Sequence, residues 1–330
     1  MRLRVLTRHD VERAVSMAQA IQVVKDAFAQ LSAGRATVPL RTQLPVPRHN
    51  GIALLMPAYL QATDELAVKI VSVFPDNAER RLPTIHALVA VLDAATGQPV
   101  AVMDGAYLTA LRTGAASGAA TDLLARADAQ SVAIFGAGVQ GRTQLQAVCT
   151  VRTVARVWVY DSVRARAEQY VSEMRGRGGS IPPEIAVADS PAQAVADADI
   201  ICTATTSTVP VFADSALKAG VHINAIGAYT PEMQEVDQAT VARARIVVDS
   251  RQACLAEAGD LIIPLQKGLI SEADIHAELG EIVSGARPGR ETADQVTLFK
   301  TVGNAVQDVA VSRLALRAAI EQDLGVEIDL

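Results

Sequence analysis

Three glycines and one acid form the clearest chemical pattern in the chain. A short apolar run at 132–135 leads into GAGVQG (136–141), and a second apolar run ends on Asp161. At this spacing Gly136 permits a tight turn, Gly138 lets the backbone approach a pyrophosphate, and Gly141 lets a helix pack against the preceding strand. The helix N-terminus offers unpaired N–H groups to phosphates. The pattern therefore predicts a dinucleotide site. Asp161 favours NADH there, with NADP as a weaker alternative, because a carboxylate accepts hydrogen bonds from the adenosine ribose hydroxyls.

Composition limits the class of protein. The 330 residues are half hydrophobic, only 3% aromatic, and carry a net charge of −6, which suits two domains with buried parallel strands. No basic block is present, so we expect no nucleic-acid partner. The apolar runs are too short to span a membrane, and MRLRVLTRHD lacks the apolar core of a signal peptide. Isolated Cys149, Cys202 and Cys254 predict buried thiols, no metal site and a cytoplasmic location.

The first region, residues 1–125, mixes helix and strand patterns. A capping box at 16–19 opens a helix that Gly34 can end. Strand-like segments follow at 38–46, 52–60, 66–74, 84–93 and 99–104. Consecutive strands joined by short turns predict a largely antiparallel sheet. Residues 105–125 are predicted to form a helix whose small side chains permit very close packing of backbone on backbone.

Strands and helices alternate in the second region, residues 126–291. The predicted strands are 132–135, 157–160, 184–187, 200–203, 222–226 and 246–248. This rhythm predicts a Rossmann-type, doubly wound parallel sheet, in which ligands bind beyond the carboxyl ends of the strands. We therefore assign cofactor contacts to the glycine turn and the strand ends, at Gly136, Gly138, Val139, Gln140, Gly141, Asp161, Thr203, Thr205, Asn224, Ala225, Ile226 and Gly227.

The last stretch, from Thr292, is predicted to be a long amphipathic helix that returns to pack on the first region. We therefore divide the chain into an α/β domain of residues 1–125, completed by 292–330, and a dinucleotide-binding domain of residues 126–291.

Four segments carry a resemblance to a known family. They are LPTIHALVAVLDAATGQPVAVMDGAYLTALRTGAASGAAT (82–121), GAGVQG (136–141), INAIGAYTPEMQEVD (223–237) and FKTVGNAVQD (299–308). With them the chain resembles the ornithine cyclodeaminase/mu-crystallin family over nearly its whole length. The resemblance implies a Rossmann domain with a nicotinamide cofactor, and an N-terminal α/β domain that binds substrate and forms a homodimer.

The resemblance also implies a substrate site. Arg41, Lys69 and Arg112 match family positions that hold the substrate carboxylate, and Thr84 matches a position near the nicotinamide and the substrate. Arginine can clamp a carboxylate with two parallel hydrogen bonds, and lysine adds a point charge. For Lys69 and Arg41 the alternative is an ion pair with a nearby acid.

A second family position lies in FKTVG. Thr301 and Gly303 match residues that close over the cofactor. A capping role at the last helix is the alternative for Thr301.

One position departs from the family pattern. Where cyclodeaminases and the alanine dehydrogenase of the family carry an Asp that shuttles a proton, this chain has Tyr229. A tyrosine with a pKa of about 10 is a poor base at neutral pH, although it can donate a hydrogen bond to an imine nitrogen. Glu232, Glu235 and Asp237 follow closely and could substitute for the Asp, but we expect them to lie in a surface loop.

Known members of the family imply three activities: ornithine cyclodeaminase, alanine-type dehydrogenase, and reductase of cyclic ketimines such as pyrroline-2-carboxylate and piperideine-2-carboxylate. Tyr229 favours the ketimine reductase, with Lys69, Arg112 and Tyr229 as the catalytic residues. A non-catalytic, crystallin-like dinucleotide-binding protein is the alternative of another class. The retained cations argue against it, because a pure binder needs no carboxylate clamp.

Overall fold

The computed structural model describes residues 2–330 and forms two compact units. The first unit contains residues 2–112 and 305–330, and the second unit contains Thr113–Asn304. Within residues 2–330, no helix combines the length and the apolar character that crossing a membrane requires.

Sixteen strands are present in the described residues. They are β1 (Arg2–Leu6), β2 (Ala36–Thr37), β3 (Thr42–Val46), β4 (Gly51–Leu60), β5 (Glu65–Val73), β6 (Ile85–Leu92), β7 (Pro99–Asp104), β8 (Ser131–Phe135), β9 (Arg156–Tyr160), β10 (Ile185–Val187), β11 (Ile200–Thr203), β12 (His222–Ala225), β13 (Arg245–Val248), β14 (Ile275–Glu278), β15 (Thr297–Lys300) and β16 (Val326–Asp329).

Eleven α-helices connect them within the same residues. They are α1 (Arg8–Ala14), α2 (Met17–Ser32), α3 (Gly105–Leu124), α4 (Val139–Val151), α5 (Arg164–Arg175), α6 (Pro191–Val195), α7 (Gln238–Arg243), α8 (Arg251–Glu257), α9 (Gly259–Gln266), α10 (Leu279–Val283) and α11 (Ala305–Glu321).

The first unit is built on a sheet in the order β16-β1-β7-β6-β5-β4-β2, with β3 also paired to β4. All its pairs are antiparallel except β1 with β7, so the predicted antiparallel character is confirmed. Helix α2 begins at the predicted capping box, where the Ser16 side chain accepts from Gln19 N, and it buries Ile21, Val24 and Phe28. Helix α11 packs on α2 and β5, as predicted for the end of the chain.

The second unit is a doubly wound sheet of eight strands in the order β10-β9-β8-β11-β12-β15-β13-β14. Every neighbouring pair is parallel, which confirms the predicted Rossmann-type sheet. Both faces are covered. On β8, Ala133 and Phe135 belong to one buried apolar cluster, and Val132 and Ile134 belong to the other. This alternation places successive side chains on opposite faces of a fully buried strand.

Close packing in the second unit depends on a glycine of α3. A Cβ on Gly114 would lie 2.7 Å from the carbonyl oxygen of Thr143 on α4, which is closer than real side chains allow. The small-residue composition of α3 therefore permits the close backbone packing that the sequence predicted. The three cysteines are free and buried, also as predicted.

Two parts of the predicted element map were wrong. The helix expected from Thr292 begins only at Ala305, because residues 297–300 form β15 between β12 and β13. The apolar residues of TLFK are fully buried there, so they complete the parallel sheet. The predicted strand at 38–46 forms a strand only from Thr42.

The boundaries between the two compact units lie within α3 and just before α11. The predicted boundaries were 125/126 and 291/292.

Candidate active site

The glycine turn between β8 and α4 has the geometry that its sequence requires. Gly136 has a φ of +94°, and a Cβ there would meet the carbonyl oxygen of Ala204 at 2.5 Å. A Cβ on Gly141 would overlap the carbonyl oxygen of Gly136. Gly138, the N-cap of α4, is exposed and has no atom within 4 Å of its Cβ position. The turn is therefore closed on the protein side and open at the helix N-terminus, where a phosphate can approach.

Asp161 follows β9 and braces this turn. Its Oδ2 accepts a hydrogen bond from Ala137 N at 2.9 Å, and its Oδ1 accepts one from Val163 N at 2.9 Å. Each carboxylate oxygen keeps further lone-pair capacity. Together with Gly136, Arg166 and Thr205, Asp161 lines a cavity of about 430 Å³. Arg164 is held elsewhere, by Glu168 and Asp189.

The predicted cofactor residues on β11 and β12 stand at neighbouring strand ends, but most of their side chains point into the protein. Thr203, Asn224 and Ala225 are fully buried. The Asn224 amide nitrogen donates to Thr121 Oγ1 at 2.9 Å, and its Oδ1 lies 3.2 Å from His222 Nε2. These residues therefore offer backbone and positioning, whereas Thr205 lines the cavity directly.

Glu235 is the main departure from the expected surface loop. It is fully buried, so that expectation was wrong for this residue. Its Oε1 accepts from Thr205 N at 2.6 Å and Thr205 Oγ1 at 2.7 Å. Its Oε2 accepts from Thr203 Oγ1 at 2.9 Å, Gly227 N at 2.6 Å and Ala228 N at 3.1 Å. One carboxylate thus ties together the segments that follow β11 and β12.

The neighbouring residues of the predicted loop behave differently. Glu232 is exposed. Asp237 is the N-cap of α7, where its side chain accepts from Ala239 N.

Two further buried charges lie beside Glu235. Asp260 Oδ1 accepts from Glu235 N at 2.7 Å and from Val236 N at 2.9 Å, and Asp260 Oδ2 accepts from Lys300 Nζ at 2.9 Å. Asp260 and Lys300 are fully buried. Burial, followed by the negative charge of Asp260, raises the pKa of Glu235.

Asp249 organises the FKTVG segment in a similar way. Its Oδ2 accepts from Thr301 Oγ1 at 2.5 Å and from Gly303 N at 3.0 Å. The Thr301 hydroxyl is therefore bound to an acid, and the residue lies before α11 without capping it. The predicted roles of Thr301 and Gly303 in closing over a cofactor remain predictions.

In the first unit, two of the three predicted cations share one acid. Lys69 Nζ lies 2.7 Å from Asp308 Oδ2, and Arg112 Nε donates to Asp308 Oδ1 at 3.1 Å. Arg112 Nη1 also donates to Gln307 Oε1 at 2.7 Å. Lys69 and Asp308 are 1% exposed and Arg112 is 5% exposed. The cluster therefore carries two cations against one carboxylate in a nearly dry setting.

This setting changes the acidity of Lys69. Burial and then the charge of Arg112 lower the pKa of Lys69 to about 8, and Asp308 opposes that change. Arg41 also contributes to lowering it, so both of the other predicted cations act electrostatically on Lys69.

The other two predicted site residues, Thr84 and Tyr229, do not belong to the buried cluster of Lys69, Arg112 and Asp308. Thr84 is exposed and comes just before β6, five residues before Val89, which is paired with Lys69. At about 3.3 Å per residue this is about 16 Å along the strand, so Thr84 is not part of the buried cluster. Tyr229 lies in the second unit, 42% exposed, in the segment after β12.

Sequence reasoning did not single out Asp308, Asp249, Asp260 or Lys300. A signal was present for three of them. Asp308 lies between the apolar residues Val306 and Val309, Lys300 ends an apolar strand, and Asp260 precedes the apolar LIIPL. Buried charges of this kind are retained only with partners.

Known proteins resemble this chain over nearly its whole length. A model of the ornithine cyclodeaminase/mu-crystallin family matches residues 1–322. A Delta(1)-pyrroline-2-carboxylate reductase of Bacillus cereus is 38% identical over 329 residues, which are 98% of this chain and 99% of that protein. The structure of the Thermococcus litoralis Delta(1)-pyrroline-2-carboxylate reductase in complex with NADH and L-proline has a TM-score of 0.94 at 43% identity, covering 98% of this chain and 100% of that chain. An archaeal alanine dehydrogenase dimer with bound NAD has a TM-score of 0.92 at 34% identity, covering 100% of both chains. The chain belongs to the ornithine cyclodeaminase/mu-crystallin family.

Proposed function

We propose that the protein is an NADH-dependent reductase of a small cyclic imino acid of the pyrroline-2-carboxylate or piperideine-2-carboxylate type. The buried cluster of Lys69, Arg112 and Asp308 carries this proposal. Its two cations exceed its one acid, so it attracts the carboxylate that an α-imino acid carries beside the reacting carbon. The activity of the Bacillus cereus and Thermococcus litoralis relatives, both Delta(1)-pyrroline-2-carboxylate reductases, supports the same substrate class.

The glycine turn supports the cofactor. Gly138 leaves the N-terminus of the 13-residue α4 open, and the unpaired N–H groups of such a terminus bind a pyrophosphate. Asp161 faces the same cavity and disfavours a 2′-phosphate by charge repulsion, so NADH is preferred to NADPH. When bound, the cofactor supplies the hydride. The relatives solved with NADH and NAD support this assignment.

The residues of the first unit orient the substrate and supply a proton. Lys69 and Arg112 hold the carboxylate and thereby fix the orientation of the imine carbon. A proton must reach the imine nitrogen as the carbon is reduced. Lys69, with its pKa lowered to about 8, releases a proton more readily than an exposed lysine. The Tyr229 hydroxyl or water is the alternative donor.

A homodimer formed through the first unit is part of the proposal. Leu55, Ile70 and Leu88 stand in one row across β4, β5 and β6, because Leu55 pairs with Ile70 and Ile70 pairs with Leu88. Each is between 36% and 40% exposed. Such an apolar row on a sheet face is typical of an interaction surface. The archaeal alanine dehydrogenase is a dimer.

One panel of assays tests the proposed function. NADH and NADPH oxidation is followed with pyrroline-2-carboxylate, with piperideine-2-carboxylate and with pyruvate plus ammonia, and ammonia release is followed with ornithine and NAD. We expect turnover of a cyclic imine with NADH. Cofactor binding without turnover of any substrate would identify a dinucleotide-binding protein, and faster turnover of pyruvate plus ammonia would identify an alanine-type dehydrogenase.

A further inference from the structure

The carboxylate of Glu235 is hydrogen-bonded to the ends of two neighbouring strands. It accepts hydrogen bonds from Thr203, which ends β11, from Thr205, two residues beyond it, and from Gly227 and Ala228, which follow β12. A Cβ on Gly227 would overlap the carbonyl oxygen of Thr205 and would lie 2.5 Å from Glu235 Oε1. The two segments and the acid are therefore packed in direct contact.

The hydrogen-bond pattern fits a charged carboxylate. Three of its five partners are backbone N–H groups, which can only donate. The Thr205 hydroxyl accepts a hydrogen bond from Ser207 N at 3.2 Å, so its own hydrogen points to Glu235. Each oxygen of Glu235 thus receives hydrogen bonds without having to supply a proton.

Among residues 2–330 no cation is bound directly to Glu235, although the charge of Lys300 lowers its pKa against the larger raising effects of burial and Asp260. Lys300 Nζ is bound to Asp260 Oδ2, so Lys300 and Asp260 compensate each other. The charge of Glu235 is stabilised by the dipoles of the N–H groups. With Glu235 ionised, as its hydrogen bonds indicate, the charges of Glu235, Asp260 and Lys300 sum to about −1.

The sheet order indicates which half of a dinucleotide lies here. In the order β10-β9-β8-β11-β12, the two mononucleotide halves meet at the crevice beside β8, where the winding reverses. Asp161 after β9 marks the adenosine half. The nicotinamide half then belongs over β11 and β12, whose ends Glu235 holds.

We propose that Glu235 is a positioning residue for the nicotinamide half of the site, and that its buried negative charge raises the affinity for the oxidised cofactor relative to the reduced one. The oxidised ring is cationic and the reduced ring is neutral, so the charge of Glu235 acts only on the first. This inference rests on the proposed use of NADH.

The test measures the dissociation constants of NAD and NADH by calorimetry for the unmodified protein and for Glu235→Gln. Removing the charge should increase the ratio of the NAD dissociation constant to the NADH dissociation constant about fivefold or more. The reason is that the attraction between the Glu235 carboxylate and the cationic ring remains large enough for this change out to about 16 Å at an effective dielectric constant of about 20. A residue with only a structural role would weaken both ligands by the same factor. An unchanged ratio in a folded Glu235→Gln protein would therefore overturn the inference and leave the proposed function intact.

The matched control is Asp237→Asn, which removes the same charge two residues away, from a side chain bonded to Ala239 N and Asp214 N. Its ratio should change less than that of Glu235→Gln. If Glu235→Gln does not fold, Asp260→Asn makes the same change in local charge while its Oδ1 can still accept both N–H groups, and the ratio should move in the same direction. An unmodified protein that binds neither NAD nor NADH would overturn both the cofactor proposal and this inference.

Discussion

Asp308 Oδ2 lies 2.7 Å from Lys69 Nζ, and Asp308 Oδ1 accepts a hydrogen bond from Arg112 Nε at 3.1 Å. One acid therefore sets the positions of both buried cations. The two readings of Lys69, ion pair and carboxylate ligand, are compatible, because Asp308 neutralises one cation and leaves the charge of the second. In the proposed complex, a substrate carboxylate would complete the charge balance that burial demands.

The first prediction concerns this cluster. Arg112→Ala should lower kcat/KM for a cyclic imine about thirty- to eight-hundredfold, because losing a charged hydrogen-bond partner costs about 2–4 kcal/mol. The dissociation constant of NADH should change little. Arg48→Ala, which removes an exposed arginine of the first unit, is the control. Near-normal kcat/KM in both Arg112→Ala and Lys69→Ala would show that the carboxylate is held elsewhere.

The second prediction concerns pH. The proposed role of Lys69 requires its protonated form, and burial lowers its pKa to about 8, so kcat/KM should fall as the pH rises through about 8. Asp308 opposes that lowering, so in Asp308→Asn the fall should occur at lower pH. Lys69→Arg keeps the charge at all accessible pH values and should lose this alkaline fall while retaining only part of the rate. A profile of the same shape in all three proteins would assign the titration to another group, such as the substrate.

The third prediction concerns cofactor choice. The unmodified protein should bind NADH more tightly than NADPH, and Asp161→Ser should shift the ratio of the two dissociation constants toward NADPH. Arg166 lines the same cavity and softens the repulsion, so we expect preference without exclusion. Asp161 also accepts hydrogen bonds from Ala137 N and Val163 N. Asp161→Asn, which keeps an acceptor oxygen, therefore separates loss of charge from loosening of the turn. Tighter binding of NADPH by the unmodified protein would contradict the assignment.

The fourth prediction concerns assembly. We expect light scattering at micromolar concentration to give about twice the chain mass of 34.7 kDa. Ile70→Glu should give the monomer mass, because it places a charge at the centre of the apolar row. Ile320→Glu is the control, since Ile320 is 59% exposed on α11 and lies outside that row. A monomeric unmodified protein would refute the dimer, and a dimeric Ile70→Glu protein would place its interface elsewhere.

The sequence predicted those parts of the structure that are determined by residues close to one another in the chain. Gly136 and Gly141 are fixed by the short turn that contains them, Asp161 directly follows β9, and the apolar runs of β8, β9 and β11 are fixed by burial on both faces. Strand β15 was missed because TLFK is as apolar as the helix that follows it, and only its two neighbouring strands make it extended. Strands β1 and β16 are likewise held by pairing with each other.

Long-range contacts explain what was missed in the site. Lys69 and Arg112 were identified from their matches to the family, but their shared partner Asp308 is 196 residues beyond Arg112. Glu235 was expected at the surface because its own segment, TPEMQEVD, is polar. The donors that bury it come from Thr203 and Thr205, about thirty residues earlier in the chain.

The last prediction concerns the reaction, and Tyr229 separates the alternatives. Deamination of ornithine needs a base to deprotonate the ammonium before hydride leaves and an acid to help ammonia depart, and such help is worth about 10²–10⁴-fold. Tyr229 is a poor base, and Glu235, the nearest buried acid in its segment, is fully engaged by five hydrogen bonds. Reduction of a preformed cyclic imine needs one proton, which Lys69, Tyr229 or water can supply.

We therefore expect measurable reduction of pyrroline-2-carboxylate or piperideine-2-carboxylate and little ammonia from ornithine. Tyr229→Phe should lower the reductase rate only modestly, and Tyr229→Asp should raise any deaminase activity. Ammonia release from ornithine and NAD at a rate comparable to the best imine reduction would make the protein a cyclodeaminase and overturn the reductase proposal.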